Sequence, residues 1–156
     1  MAKKIIAIGS DHGGFSLKEK IKKLLEKKGY KIHDAGTCSE ISCDYPEFGF
    51  EAAKKVSQKK AFRAIAICKT GIGMTIVTNK LPGVRAGVCA SKEDALSARQ
   101  HNDINVLVLA ANKVSGPKAL KIVETWLKTN ALKGRHARRV KQIRAFEKKV
   151  FKEEKW

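Results

Sequence analysis

A cysteine followed by a glycine-rich turn is the strongest chemical signal in this sequence. Cys68 closes an apolar run and precedes Thr70, Gly71 and Gly73, where a helix is predicted to begin. Small residues at such a turn let main-chain N–H groups point together at an oxygen that gains negative charge. The helix dipole and the neighbouring Lys69 favour the thiolate form of a cysteine placed there. We interpret Cys68 as a candidate base, while a buried strand-end cysteine beside a tight turn remains the simpler alternative.

An acid next to an imidazole follows the first predicted strand. Asp11 and His12 precede Gly13 and Gly14, which allow a ligand to approach the main chain closely. Such a pair can transfer protons and hold hydroxyl groups. A helix cap formed by Asp11, with an exposed His12, would explain the same residues.

Two further polar clusters lie at predicted helix ends. Arg99, His101, Asn102 and Asp103 form the first, and capping of a helix C-terminus is a sufficient explanation for it. The second lies at the start of the last predicted helix and consists of Arg135, His136, Arg138 and Arg139. Cations at a helix N-terminus oppose the helix dipole, which costs stability unless an anion binds among them. The second cluster therefore predicts an anion site.

The elements that must position these residues alternate between strand and helix. Apolar runs predict strands at 3–9, 30–34, 62–68, 84–89 and 104–110. Helical spacing predicts one helix from Phe15 to a stop at Gly29, then helices at 48–60, 74–80, 93–101, 117–128 and 135–152. This alternation is typical of crossover units and a mostly parallel sheet covered on both faces.

The predicted sheet also indicates where a ligand would bind. In open parallel sheets, ligands lie beyond the carboxyl ends of the strands, where loops and helix N-termini meet. This rule selects the loops at residues 9–14, 37–46, 68–73 and 101–103. We expect the clusters described above to converge at that edge.

Length and charge limit the class of protein. With 156 residues, 43% of them hydrophobic, the chain is expected to form one globular domain. Its 33 Lys and Arg against 15 Asp and Glu give a net charge of +18, which attracts phosphates, nucleic acid or anionic membranes. We expect a cytoplasmic protein, because the sequence offers neither a signal peptide nor an apolar run long enough to span a membrane. Its four cysteines are then thiols, and Cys38 and Cys43 lack the second ligand pair of a zinc site.

Several of these motifs, in this order, resemble ribose-5-phosphate isomerase type B and its relatives, the galactose-6-phosphate isomerase subunits. The resemblance runs through nearly the whole chain and is carried by Gly9-Ser-Asp-His-Gly-Gly-Phe15, Asp44-Tyr45-Pro46, Cys68-Lys-Thr-Gly-Ile-Gly73, Asn79-Lys80, Gly83-Val-Arg-Ala86, Ser97-Ala-Arg-Gln-His-Asn-Asp103, Gly134-Arg-His136 and Arg139. It implies a Rossmann-like three-layer α/β/α sandwich with a five-stranded parallel sheet and an extended C-terminal helix. It also implies a homodimer or homotetramer, with the C-terminal helix on a partner subunit, and catalysis without metal or organic cofactor.

The resemblance further implies a role for each candidate residue. Cys68 is the base that moves a proton between C2 and C1 through a cis-enediolate, which Thr70 and the amides of residues 70–73, including Gly71 and Gly73, stabilise. Asp11 and a His101 supplied by the neighbouring subunit open the sugar ring. The remaining residues bind substrate: Tyr45 and Asn102 position the sugar, and the phosphate is held by His12, Arg135, Arg139 and His136.

Three positions depart from or qualify the family pattern. Some members replace the cysteine and carry a glutamate directly after the glycine loop, where this chain has Met74, so the thiol-base type is indicated. Lys69 replaces a customary glycine, which would strain the loop if the position needs a positive φ. Lys113 replaces an arginine that reaches toward phosphate, so a point charge stands in for a two-pronged donor.

The sequence therefore predicts an aldose–ketose isomerase that interconverts D-ribose 5-phosphate and D-ribulose 5-phosphate in the pentose phosphate pathway. A six-carbon substrate, such as galactose 6-phosphate or allose 6-phosphate, is the nearest alternative. A basic nucleic-acid-binding protein built on an enzyme fold is the other class considered. Only 6% of the residues are aromatic and no recognition helix is evident, which argues against nucleic acid as the primary partner.

Overall fold

A computed structural model describes residues 3–153, which form one five-stranded parallel sheet. The strands are β1 (Ile5–Ser10), β2 (Lys31–Asp34), β3 (Arg63–Cys68), β4 (Ala86–Val88) and β5 (Val106–Ala110), in the order β2-β1-β3-β5-β4. The central strands β3 and β5 are buried along their whole length, as expected for apolar runs covered by helices on both faces. The predicted parallel sheet is confirmed.

Helices cover both faces of the sheet. They are α1 (Phe15–Lys27), α2 (Tyr45–Ser57), α3 (Ile72–Thr78), α4 (Lys92–Asn102), α5 (Gly116–Lys128) and α6 (Arg135–Glu153), with a short 3-10 helix at His12–Gly14. One core lies under α1, α4 and α5 and includes Trp126 and Ile21. The other lies under α2 and α3 and includes Ala52 and Met74. Two helical layers on one sheet confirm the three-layer sandwich.

Two helices begin two or three residues earlier than the sequence predicts, and α4 and α5 begin one residue earlier. Helix α2 begins at Tyr45 and not at residue 48, because Pro46 in the first turn fits a helix start, where its missing N–H is not needed. Helix α3 begins at Ile72 and not at residue 74, directly after Gly71, whose φ is +77°. Gly73, expected to belong to the loop, is therefore inside the first turn of the helix.

The strand order identifies the crevice where a ligand can bind. Strand β1 lies between β2 and β3. The chain adds β2 on one side of β1 and then adds β3 on the other side, so the order of strand addition reverses at β1. After β1 the chain continues into α1 on one face, and after β3 into α3 on the other. Connections that leave on opposite faces open a crevice at the carboxyl ends of two adjacent strands. Asp11 follows β1 and Cys68 ends β3, so both lie at this crevice.

The C-terminal helix α6 packs on its own chain along only one side. Val140 is buried, and a carboxylate oxygen of Glu147 accepts the main-chain N–H of Gly83 at 2.8 Å. The apolar side chains of the outer stripe remain uncovered, with Phe146 70% exposed and Ile143 47% exposed. No helix within residues 3–153 has the length and apolar character needed to cross a membrane.

Candidate active site

The side chain of Cys68 lies at the base of the crevice. Its sulfur accepts the main-chain N–H of Gly71 at 3.2 Å, and the residue keeps 5% of its surface exposed. Gly71 can make this contact because its positive φ turns the chain sharply after the strand. The sulfur is thus fixed beside the start of α3, in contact with the glycine turn that follows it.

Some main-chain N–H groups of the turn after Cys68 form hydrogen bonds within the turn, and others are free to bind a ligand. The N–H of Gly71 binds the sulfur, and that of Ile72 contacts Thr70 Oγ1 at 3.4 Å. Within residues 3–153, the N–H groups of Thr70, Gly73 and Met74 have no hydrogen-bond partner. The predicted contact of the residue 70–73 amides with an oxyanion stays a prediction. Two of the free donors, those of Gly73 and Met74, lie in the first turn of α3.

Tyr45 lies directly against this turn. A Cβ added at Gly73 would overlap the Tyr45 ring and would come within 2.8 Å of its hydroxyl oxygen. The ring, 37% exposed, can occupy this position only because residue 73 has no side chain. Gly49, one turn further along α2, likewise lets α2 and α3 pack closely. The loops after β2 and β3 therefore meet at Gly73.

Asp11 caps the 3-10 helix, as the simpler interpretation anticipated. Its Oδ1 accepts the N–H of Gly14 at 3.1 Å, and the residue is 7% exposed. The cap holds the carboxylate at the end of β1, and within residues 3–153 the second carboxylate oxygen makes no hydrogen bond. Capping and proton transfer are compatible here, because each uses a different oxygen.

The ring of His12 is oriented by a main-chain contact that the sequence did not indicate. Its Nδ1 accepts the N–H of Cys43 at 3.1 Å. In the neutral ring the proton then lies on Nε2, which is left as a donor for a ligand. The sulfur of Cys43 lies 3.9 Å from the same ring nitrogen, but the hydrogen bond comes from the main-chain N–H, which no side-chain pattern could have predicted.

Lys69 fits the loop without strain. Among non-glycine residues in 3–153, only Lys59 and Asp103 have a positive φ. The φ of Lys69 is therefore not positive, and the main-chain strain considered for a lysine at this position is absent. A Cβ added at Gly13 would lie 3.4 Å from the Cβ of Lys69, which places the loops after β1 and β3 side by side. The residues brought together at this edge are called the Cys68 cluster: Asp11, His12, Tyr45, Cys68, Thr70, Gly71 and Gly73.

The other candidate residues meet elsewhere in the fold. The rings of His101 and His136 stack with their centres 4.2 Å apart and an angle of 10° between their planes. His101 ends α4 and His136 begins α6, so this contact joins the two polar helix ends recognised in the sequence. We call this group the His101 cluster: His101, Asn102, Arg135, His136 and Arg139.

Partly buried ion pairs hold the end of α4 in place. Asp103 has a φ of +49° and accepts hydrogen bonds from Arg99 at 2.6 Å and Arg85 at 3.0 Å. Arg99 also donates to the main-chain oxygen of Ile104 at 2.8 Å. Arg99 and Asp103 therefore have structural roles, as the capping interpretation proposed, and His101 extends from an anchored helix end.

The two clusters lie at opposite edges of the sheet, which corrects the expectation that all four loops converge. Cys68 pairs with Ala110 at the carboxyl end of β5, whereas residues 101–103 precede Val106 at its amino end. Four strand residues separate these levels, or roughly 13 Å at about 3.3 Å per residue. The reason is topological: α4 runs back across the sheet before β5 begins, so its last residues reach the amino edge.

The His101 cluster is open and positively charged. Arg135 and Arg139 are exposed and form no ion pair within residues 3–153. The pKa of His136 is lowered from its usual value, first by loss of water around the ring and then by the positive charges of His101, Arg135 and Arg139. A cavity of about 530 Å³ adjoins the two histidines. These features suit an anion that would offset the charges.

The other thiols are poorly suited to acid–base chemistry. Cys89 is 1% exposed, and burial together with Asp94 raises its pKa to about 12. Cys38 is exposed on the loop after β2, and its side chain makes no hydrogen bond in the described part of the chain. No three His, Cys, Asp or Glu side chains within residues 3–153 are grouped closely enough to hold a metal ion.

A five-stranded parallel sheet with a thiol, a carboxylate and free helix-start amides at its crevice defines an enzyme site, and the comparisons with known proteins give its class. The model of the ribose/galactose isomerase family matches residues 6–143. Ribose-5-phosphate isomerase B of Escherichia coli is 40% identical over 146 residues, covering 94% of this chain and 98% of that protein. The chain therefore belongs to the ribose/galactose isomerase family, and it is an isomerase of sugar phosphates.

Solved structures give the same answer. Ribose-5-phosphate isomerase B of Clostridium thermocellum is 47% identical, with a TM-score of 0.90 over 94% of this chain and 99% of that one. The enzyme of Mycoplasma genitalium, solved with bound ribulose 5-phosphate, is 38% identical, with a TM-score of 0.90 over 95% and 99% of the two chains. The resemblance inferred from the motifs is confirmed over nearly the whole fold.

Proposed function

We propose that the protein interconverts D-ribose 5-phosphate and D-ribulose 5-phosphate, a step of the pentose phosphate pathway, with Cys68 as the base. The thiolate removes the proton from C2 of the open-chain aldose, and the electrons move onto the C1 oxygen to give a cis-enediolate. The proton of the C2 hydroxyl passes to the C1 oxygen, so that the C2 oxygen becomes the carbonyl oxygen. The sulfur then returns its proton to C1, which gives the ketose and restores the thiolate. The observation that carries the proposal is the sulfur held at 3.2 Å from the Gly71 amide, next to the free amides of Gly73 and Met74.

The Cys68 cluster supports each part of this step. Free N–H groups at the start of α3 can stabilise the negative charge that develops on the enediolate oxygens. The unbonded oxygen of Asp11 can exchange a proton with the ring oxygen or a hydroxyl during ring opening. Tyr45 borders the same space and limits how the sugar can lie. His12 offers an Nε2 donor to the phosphate.

The His101 cluster completes the site from a second subunit. His101 and Cys68 lie at opposite edges of one sheet, so one chain cannot bring both to one sugar. In a homodimer, or a dimer of dimers, the His101 cluster of one subunit can face the Cys68 cluster of the other. Arg135, Arg139 and His136 then bind the phosphate, and Asn102 positions the sugar. The uncovered apolar stripe of α6 offers surface for such an interface.

The substrate assignment is tested by steady-state kinetics on the purified protein. We expect kcat/KM for ribose 5-phosphate to exceed that for allose 6-phosphate and galactose 6-phosphate by at least about tenfold, because a pocket sized for five carbons must deform to admit six. A clear preference for a six-carbon substrate would replace this assignment with that of the sister isomerases.

The shared site is tested by complementation between two inactive variants. Cys68→Ala and His101→Asn each disable one cluster, and co-expression of the two chains produces dimers that contain one intact site. We expect about a quarter of the wild-type activity, because half of the dimers are mixed and each has one working site of two. Each variant expressed alone is the control. If the mixture stays as inactive as the single variants, the site does not span two subunits.

A further inference from the structure

A second concave surface lies at the amino edge of the sheet, beside the His101 cluster and away from the Cys68 cluster. It is an open groove of about 840 Å³ between the starts of β1 and β3, the end of α2 and the C-terminal half of α6. We call it the amino-edge groove. It shares no residue with the Cys68 cluster or the His101 cluster, although Arg144 and Lys148 also line the cavity beside His101 and His136. The proposed isomerase reaction assigns no role to the rest of the groove.

The amino-edge groove is strongly basic. Its cations are Lys3, Lys59, Lys60, Arg85, Arg144 and Lys148. Arg85 and Arg144 are balanced by Asp103, at 3.0 and 3.6 Å, and the carboxylate of Glu147 binds the Gly83 N–H. The four lysines form no ion pair within residues 3–153. Unbalanced lysines around one concave surface repel one another, which costs stability unless an anion lies among them.

One of these lysines occupies a position where glycine would fit better. Lys59 has a φ of +58°, and the N–H of Lys60 binds the carbonyl of Lys55 at 2.8 Å, which closes the turn that ends α2. The same turn ends α1, where Tyr30 binds Leu25 at 3.0 Å, and there the left-handed position is Gly29 with a φ of +83°. A left-handed conformation is unfavourable for a lysine and costs nothing sterically for a glycine.

The comparison of the two turns shows that residue 59 is a lysine where a glycine would have the lower backbone energy. The positive charge of Lys59 is therefore present despite an unfavourable main-chain conformation. The amino-edge groove also contains Phe62, which is 41% exposed and has the ammonium group of Lys4 at 4.4 Å and the guanidinium group of Arg63 at 4.7 Å from its ring centre. Cationic grooves with aromatic side chains are typical of surfaces that follow a single-stranded nucleic acid backbone. The exposed part of the ring offers an apolar contact that a nucleic acid can use and inorganic polyphosphate cannot.

We propose that the amino-edge groove binds single-stranded nucleic acid without sequence preference, as a second function carried by the isomerase fold. The phosphates lie along Lys3, Lys59, Lys60 and Lys148, and Phe62 offers an edge to a base or sugar. This function accounts for part of the net charge of +18, which a small sugar phosphate does not require. It does not depend on which sugar phosphate is isomerised.

The test compares two triple variants that lose the same charge. Lys3→Gln, Lys59→Gly and Lys60→Gln neutralise groove lysines that do not line the cavity beside His101, and Lys59→Gly also removes the strained conformation. Lys20→Gln, Lys23→Gln and Lys121→Gln neutralise exposed lysines on α1 and α5, which cover the opposite face. Fluorescence anisotropy with a labelled single-stranded RNA of about 20 nucleotides gives affinity across a salt series.

We expect the groove variant to bind at least about tenfold more weakly than wild type at physiological salt, with a salt slope shallower by about two. The control variant is expected to bind within about twofold of wild type. The groove variant should also melt at an equal or higher temperature and isomerise sugar phosphates at the wild-type rate, which excludes unfolding as the cause.

Three results would overturn the proposal. Equal loss of affinity in the two triple variants would mean that RNA responds to total charge and not to the groove. Absence of RNA binding by wild type at physiological salt would remove the function. Binding of polyphosphate chains of equal phosphate number, with no measurable binding of RNA, would assign the groove to a different anion.

Discussion

The Cys68 cluster and the His101 cluster are built on different principles. The first is assembled from strand ends, glycines and main-chain hydrogen bonds, and its central residue is 5% exposed. The second is assembled from helix ends, a stacked pair of imidazoles and exposed arginines. One cluster is preorganised by the sheet, whereas the other is open and carries charge that nothing within residues 3–153 balances.

This difference matches the two tasks of the proposed reaction. Moving a proton between adjacent carbons requires donors and base fixed to a fraction of an ångström, which strand ends and tight turns provide. Holding a phosphate requires charge and forked donors, which long exposed side chains supply with less exact placement. Damage to the Cys68 cluster should therefore lower kcat, and damage to the arginines of the His101 cluster should mainly raise KM.

The largest expected effect belongs to Cys68→Ala. We expect kcat to fall by about 10³-fold or more, because the variant lacks the group proposed to carry the proton. The fold should persist, since a small apolar side chain fills most of the same volume. Cys38→Ala, which removes an exposed thiol on the loop after β2, is the matched control and should retain full activity. Near-normal turnover by Cys68→Ala would remove Cys68 as the base.

A smaller effect is expected from Gly73→Ala. The added methyl group overlaps the Tyr45 ring, so the ring must move out of the crevice. We expect kcat/KM to fall by about 10²-fold, the usual consequence of displacing a positioning group by about 1 Å. The melting temperature should not fall, because alanine favours the helix in which residue 73 lies.

A double-variant cycle separates this mechanism from a general disturbance. Tyr45→Ala leaves space for the methyl group, so Gly73→Ala should cost little further activity in that background. If the two losses simply multiply, the overlap with Tyr45 is not the reason that residue 73 must be glycine.

Arg139→Ala tests the proposed phosphate-binding task of the His101 cluster. We expect KM for ribose 5-phosphate to rise about tenfold with kcat changed less than about twofold, because one charge-assisted contact to the phosphate is lost. Arg138→Ala removes the same charge from the adjacent exposed position of α6 and should leave KM close to wild type. A selective loss of kcat in Arg139→Ala would contradict the division of tasks between the clusters.

The sequence was sufficient for the Cys68 cluster and insufficient for the placement of the His101 cluster. Apolar runs that end in Asp11 or Cys68 place those residues at one sheet edge directly, because strand direction is fixed in a parallel sheet. Residues 101–103 lie at the end of α4, just before β5 begins. A helix that connects two parallel strands runs from the carboxyl edge of the sheet back to its amino edge, so these residues could not lie with the carboxyl-edge loops. The contact between His12 and Cys43 could not be predicted, since it uses a main-chain N–H that every residue but proline has.

The smallest expected effect concerns the titration of His136. Its pKa is lowered by loss of water around the stacked ring and, to a lesser extent, by His101, Arg135 and Arg139. NMR titration of the ring C–H signals should therefore give a midpoint below the usual 6.5. Below that pH the unfolded chain takes up the proton before the folded one, so this residue makes stability fall as the solution is acidified.

Charge removal and anion binding should both reverse this shift. Arg135→Ala takes away one of the cations and is expected to raise the pKa of His136. Inorganic phosphate should raise it further in wild type, because an anion among the arginines favours the charged imidazole. A His136 midpoint that phosphate leaves unmoved would mean that the positive charge of the cluster does not serve to bind the phosphate of the substrate.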